Sequence, residues 1–249
     1  MVSSSVGVPV DPTAALLAPR PYEPSENIWE YLNSGHSSGN IYVAGGDRNA
    51  GKRVTLSVYY VHANAKSDAT ETVGGPQSSY SNNGETSRAD WMRDNAVYAS
   101  GTAHFPYKFE FSAVLDARSG APYNITTGTD ANGDGNFNDR PSYTSAVGQG
   151  VYSTHFGLLT ANTINGNVPR NLGTMPTVLH LDGNLSRIFE LNPREKDHPR
   201  TLTFNIRSAN LVNHTNITGV NTVLSSSAVG TPIAAETARR VELGVRLAF

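Results

Sequence analysis

Cysteine is missing from all 249 residues, so neither a disulfide framework nor a thiolate metal site is available. A charge excess is missing too. With 19 basic and 21 acidic residues the formal net charge is −2, which argues against a nucleic-acid partner. No apolar run approaches the ~20 residues of a membrane helix; the longest covers only residues 13–18. Met1 is followed by VSSSVGVPVDP, which has neither the basic n-region nor the apolar h-region of a signal peptide. The seven histidines show no H-x-x-x-H or H-E-x-x-H spacing, which disfavours zinc. The serines at Ser119 and 225–227 lack a nucleophile-elbow glycine pattern. The expectation is therefore a non-enzyme. These absences leave a β-barrel in the membrane open, because barrel strands are apolar only at every second position and keep mean hydropathy low.

What is present starts at the C-terminus. In RVELGVRLAF, Val241, Leu243, Val245, Leu247 and Phe249 share one side, and Arg240, Glu242, Gly244, Arg246 and Ala248 share the other. A period of two gives a strand with one apolar face. The chain closes on Phe249, whereas termini of soluble proteins are normally solvated. The order Glu242, Gly244, Leu247, Phe249 resembles the terminal assembly signal of bacterial outer-membrane barrels. A C-terminal strand of a β-sandwich is the other reading of this stretch.

In chain order, residues 1–25 are rich in Pro, Ser and Ala and read as a loop or linker. Residues 26–249 read as one all-β segment. Strands are expected at 26–32, 40–47, 53–63, 93–105, 108–118, 178–189, 201–211 and 240–249. In 108–118 the side Phe109, Phe111, Ala113, Leu115, Ala117 opposes Lys108, Glu110, Ser112, Asp116, Arg118, with Val114 the apolar intruder. No convincing strand stands out in 119–175, which is very long for a loop inside a compact domain. A further polar loop covers 212–237.

Connections alternate between short (near Asn49, Pro106 and Pro193) and long (66–90, 119–175, 212–237). Transmembrane barrels have that form, with short periplasmic turns and long outer loops. Phe105, Tyr107, Phe109, Phe189, Phe204 and Phe249 all fall at the short-turn end, where an interfacial aromatic girdle belongs. The expected fold is an antiparallel transmembrane β-barrel segment of about seven or eight strands. Leu115, Leu181, Ile206 and Val245 should face lipid, and Asp116, Asp182, Arg207 and Arg246 the lumen.

The stretch RSGAPYNITTGTDANGDGNFNDRP (118–141), then PRNLG (169–173), NLVNHTN (210–216) and the terminal strand occur in one order. That set resembles the C-terminal barrel region of TonB-dependent outer-membrane receptors, in particular the Oar-like group with a carboxypeptidase-regulatory-like N-terminal domain. The resemblance implies a non-catalytic barrel wall with extracellular loops for ligand binding and uptake, and the C-terminal part of a larger barrel. Plug, TonB box and signal peptide have no counterpart here, so a fragment is expected. The implied partners are outer-membrane lipid, the barrel-assembly machinery, an unknown extracellular ligand, and the TonB complex only through the missing N-terminal region. The alternative from another class is a secreted, calcium-dependent β-sandwich adhesion or carbohydrate-binding module, which would stay soluble without detergent.

One loop suggests a cofactor. Asp130, Asn132, Asp134, Asn136, Asn138 and Asp139 place oxygen donors around Gly135, as a Ca²⁺ loop does. Pro141 stands where an EF-hand needs Glu, so the motif is no EF-hand. A polar loop capped by its own Asx turns is the competing reading.

Overall fold

Strict alternation of apolar and polar side chains favours extended backbone, because it offers two faces that suit different surroundings. The computed structural model describes residues 34–69, 75–79, 81–194 and 200–249. The expected linker and the strand at 26–32 lie outside them. Strands β1 (Ser37–Ala50) and β2 (Val54–Ser67) form a hairpin about Gly51, whose φ of 62° suits a residue without Cβ. The two-residue β3 (Ser87–Arg88) pairs with the end of β2. Next come β4 (Asn95–Phe105) and β5 (Phe109–Arg118), joined by Pro106–Lys108, where Tyr107 and Lys108 both take positive φ. That is the backbone twist of a primed hairpin turn.

The 119–175 connection corrects the sequence reading, because it contains strands. They are β6 (Pro122–Tyr123), β7 (Ser142–Tyr143), β8 (Val151–Thr154), β9 (Gly157–Thr160) and β10 (Gly173–Thr174). They pair as β6–β10 and as a β7–β9–β8 sheet. Strands of two to four residues are too short to show a period in the sequence. After β11 (Val178–Glu190) and β12 (Thr201–Ala209), the 212–237 loop likewise holds a hairpin, β13 (Ile217–Val220) with β14 (Pro232–Ala235). The final strand is β15 (Arg240–Ala248).

Seven long strands form one antiparallel sheet in the order β1-β2-β4-β5-β11-β12-β15. Register places one row, Val54–Ala103–Phe111–Leu185–Ile206–Leu243, across six strands on a single face. The row Thr55–Thr102–Ser112–Asn184–Arg207–Glu242 crosses the same strands on the other face. Directly opposed residues share a face, so Leu115, Leu181, Ile206 and Val245 stand together, and Asp116, Asp182, Arg207 and Arg246 stand opposite. Among the described residues no apolar core lies beneath the sheet. Buried hydrophobic clusters lie instead in the loop layer and at the strand ends beneath it: Ile125, Leu159, Val168 and Leu224, and Ala63 and Ala65 near the end of β2 with Ala89 and Met92.

Candidate functional site: the two-faced wall and its loop layer

The polar face pairs its charges. Glu110 meets His104 at 3.3 Å and Asp116 meets Arg118 at 3.4 Å. His180 lies 3.7 Å from Asp116 and 2.5 Å from Glu236, and Lys108 pairs with Glu190. Asp182 on the same face accepts Asn210 N–H, so this wall is polar and partly ion-paired, as a barrel lumen is. The terminal strand joins it through Glu242, which takes Arg240 at 2.9 Å and stands opposite Arg207. Gly244 lies opposite Asn205, and a Cβ there would overlap the Asn205 side-chain amide. Leu247 stands opposite Leu202 on the apolar face, and Phe249, past the end of β15, is 94% exposed. Glu242, Gly244, Leu247 and Phe249 thus belong to two faces of one edge strand.

The long loops on the other end are locked by buried charge. Glu85, 1% exposed, accepts Arg140 at 2.8 Å and lies 4.0 Å from Arg170. Arg170 also meets Asp90 at 3.3 Å and donates to the carbonyls of Ser67, Ala69 and Glu85. Gln77 joins the same lock: its Nε2 donates to Gly166 O, its Oε1 accepts Arg140 N–H, and its carbonyl accepts Asn132 Nδ2. Arg88 donates to the carbonyls of Asn171, Leu172 and Gly173. Asn216 both accepts from Leu179 N–H and donates to Leu179 O, extending the β11 edge as a backbone would. The NDRP and PRNLG segments therefore meet around Glu85, while NLVNHTN is tied to β11. Glu85 and Gln77 were not foreseen, since a carboxylate in a polar loop gives no periodic signal of its burial.

Within the 130–139 loop the donors are turned inward. Asp130 accepts the N–H groups of Asp134 and Gly135, and Asn132 Oδ1 accepts Asp134 N–H. Asp134 accepts Asn136 N–H and, across the loop layer, Ser79 N–H. Asn136 Nδ2 donates back to Asp134, and Asn138 Nδ2 donates to Pro76 O. Gly133 and Gly135 supply the left-handed bends, with φ of 70° and 84°. Asp139 is fully buried; its Oδ2 accepts Ala131 N–H while Oδ1 has no hydrogen-bond partner. Burial, reinforced by the charges of Asp134 and Asp130, pushes its carboxyl up to about 6 against the N–H groups of Ala131 and Asn132. Among the described residues no group of three or more acidic or histidine side chains is placed to hold a metal ion. The loop as it stands satisfies most of its carboxylates with backbone N–H.

At the short-turn end the expected aromatics meet. Phe105 opposes Phe109, and Phe189 meets Phe204 edge-on at 5.7 Å. Tyr107 is exposed in the turn. Between them sits Arg187, overlooked in the sequence although its parity is that of Leu181 and Leu185. Its Cζ lies 4.7 Å from the Phe109 ring and 4.3 Å from that of Phe189.

An antiparallel sheet with an apolar outer face, a polar and partly ion-paired inner face, an aromatic girdle and, among the described residues, no core of its own is the wall of a transmembrane barrel. The family model described as an outer membrane beta barrel domain matches residues 4–242, and the chain belongs to that family. Its place is the outer membrane, and the β-sandwich alternative falls. No curated protein and no solved structure matches the chain.

Proposed function

We propose that this wall belongs to a TonB-dependent-type receptor, where it frames the uptake path of an extracellular ligand and catalyses nothing. The observation that carries the reading is the parity of the sheet. Six antiparallel steps leave β1 and β15 as edges that run in the same direction, neither with a further strand partner among the described residues. An all-antiparallel barrel is then completed only by an odd number of additional strands, and lipid does not tolerate open edges. A larger receptor barrel with an even strand number meets that parity, as the ordered motifs from Arg118 onward also suggest. TonB would act through an N-terminal plug region, and the barrel-assembly machinery on β15. The test is solute depletion by cells carrying the intact protein, with and without TonB. Depletion that is independent of TonB, or equal to that of cells lacking the protein, refutes the reading.

Calcium at the 130–139 loop is a proposal of the same kind, favoured by the orphaned Oδ1 of buried Asp139, an oxygen that a cation would satisfy. Asp139, Asn138 and Asp134 would hold it. Calorimetry on the folded protein, with Asp134→Ala as control, decides it: no saturable heat up to several millimolar calcium, or matching titrations, removes calcium from the account.

A further inference from the structure

Across β4, β5, β11, β12 and β15 the apolar face carries one charged side chain, Arg187, which stands between Phe109 of β5 and Phe204 of β12. Its Nε is buried without a hydrogen-bond partner, and among the described residues it makes no ion pair. The two rings beside it stabilise the cation and hold its plane, yet ring faces do not satisfy N–H donors. Among the described residues no carboxylate meets this guanidinium, and its fork fits a phosphate.

Beginning at Phe111 on the neighbouring β5, one residue pair or ~7 Å further from the turns, a depression of about 320 Å³ opens on the same face. It runs across β5, β4 and β2, with its floor two pairs or ~13 Å from the level of Arg187. Its floor is made by small residues, Gly101 directly opposite Ala113; Leu56, Phe111, Leu115 and Leu181 line it. Small residues here leave a trough walled by Leu56, Phe111, Leu115 and Leu181.

We propose that Arg187 and this trough form a seat for one glycerophospholipid. Arg187 takes the phosphate, Phe109 and Phe189 hold the guanidinium in the girdle plane, and one acyl chain lies over Gly101 and Ala113. Two observations select that occupant. The face is continuous with the lipid-facing surface of an outer-membrane barrel, so acyl chains already adjoin it. The cation lies at headgroup level while the trough reaches toward the bilayer centre, which matches a lipid's charge at one end and hydrocarbon at the other. Its leaflet is the periplasmic one, because the short turns mark that side. The seat does not depend on what the barrel transports.

The test is native mass spectrometry of the intact protein, extracted from outer membranes in a maltoside detergent and titrated with phosphatidylglycerol or with diacylglycerol, which lacks phosphate. The wild type should retain one phosphatidylglycerol at least ~10-fold more tightly than diacylglycerol. Arg187→Gln should abolish that preference and Arg187→Lys restore part of it. Ala113→Leu, which fills the floor, should weaken both lipids alike while the heat-resistant fold persists on gels. Millimolar inorganic phosphate should not displace the lipid, since it has no chain to occupy the trough. Absence of a phosphate preference in the wild type overturns the seat without reference to any variant. So does an unchanged preference in Arg187→Gln, or full retention of both lipids in Ala113→Leu.

Discussion

Val114 and Leu115 are adjacent, both apolar, and on opposite faces of β5, so lysine at each separates face from depth. Leu115 lies six residues beyond the girdle residue Phe109, ~20 Å along the strand at ~3.3 Å per residue. A tilt of ~40° reduces that to ~15 Å of height in an apolar band ~25 Å tall. Its cross-strand neighbours are Ala99 and Leu181. A lysine there sits close to the bilayer middle with no partner on its face and should cost ~2–4 kcal/mol. That is about 30- to 700-fold in the folding equilibrium, at tenfold per 1.4 kcal/mol. Val114 is 57% exposed on the polar face and directly opposite Asp182. Val114→Lys therefore places a cation beside an anion in water and should stay within ~0.5 kcal/mol of the parent. The assay is urea titration of the complete barrel in lipid vesicles, read by heat-resistant mobility on gels. Equal destabilisation by the two lysines, or a larger loss at Val114, would refute the face assignment and with it the barrel orientation.

Three further outcomes follow from the loop layer and the last strand. Glu85→Gln leaves Arg140 and Arg170 buried beside a neutral amide, and loss of such a partner costs ~3–5 kcal/mol. Since the loss is confined to the loops, limited proteolysis should cut them faster while the sheet keeps its heat resistance; intact loops would count against the lock. Asp139, raised from 3.8 to about 6, favours the protonated folded loop. Its stabilisation is complete below pH ~3.8 and is lost as pH rises through about 6, up to ~3 kcal/mol in all. Hydrogen exchange of the 130–139 amides, corrected for intrinsic rates, should therefore quicken between pH 5 and 7 in the wild type and not in Asp139→Asn. Gly244→Ala should cost on the order of 1 kcal/mol, because Asn205 must rotate away, and Asn205→Ala should return most of it in a double-mutant cycle. If Asn205→Ala restores nothing, local packing is not the reason for glycine at this position.

Side-chain alternation is a local property, so the strands and their two faces were legible from residues such as Phe109 to Ala117 without any partner. The sorting of short and long connections, and of aromatics to one end, was legible for the same reason: both follow chain order alone. The register was not. That Leu185 sits between Phe111 and Ile206 depends on which strands become neighbours across the 119–175 excursion. Arg187 shows the limit, since its parity could be read off the sequence but its two rings come from β5 and from β11 itself, brought together by pairing. In the 130–139 loop the turn residues announced a bend at Gly135, while the partners of the carboxylates were decided by packing, with Ser79 N–H taken from another loop. Glu85 was invisible, because a glutamate in YSNNGETSR becomes a buried anchor only when Arg140 and Arg170 arrive from far along the chain. Local periodicity determined which face meets lipid; the pairing of distant loops decided what ties the long loops to one another.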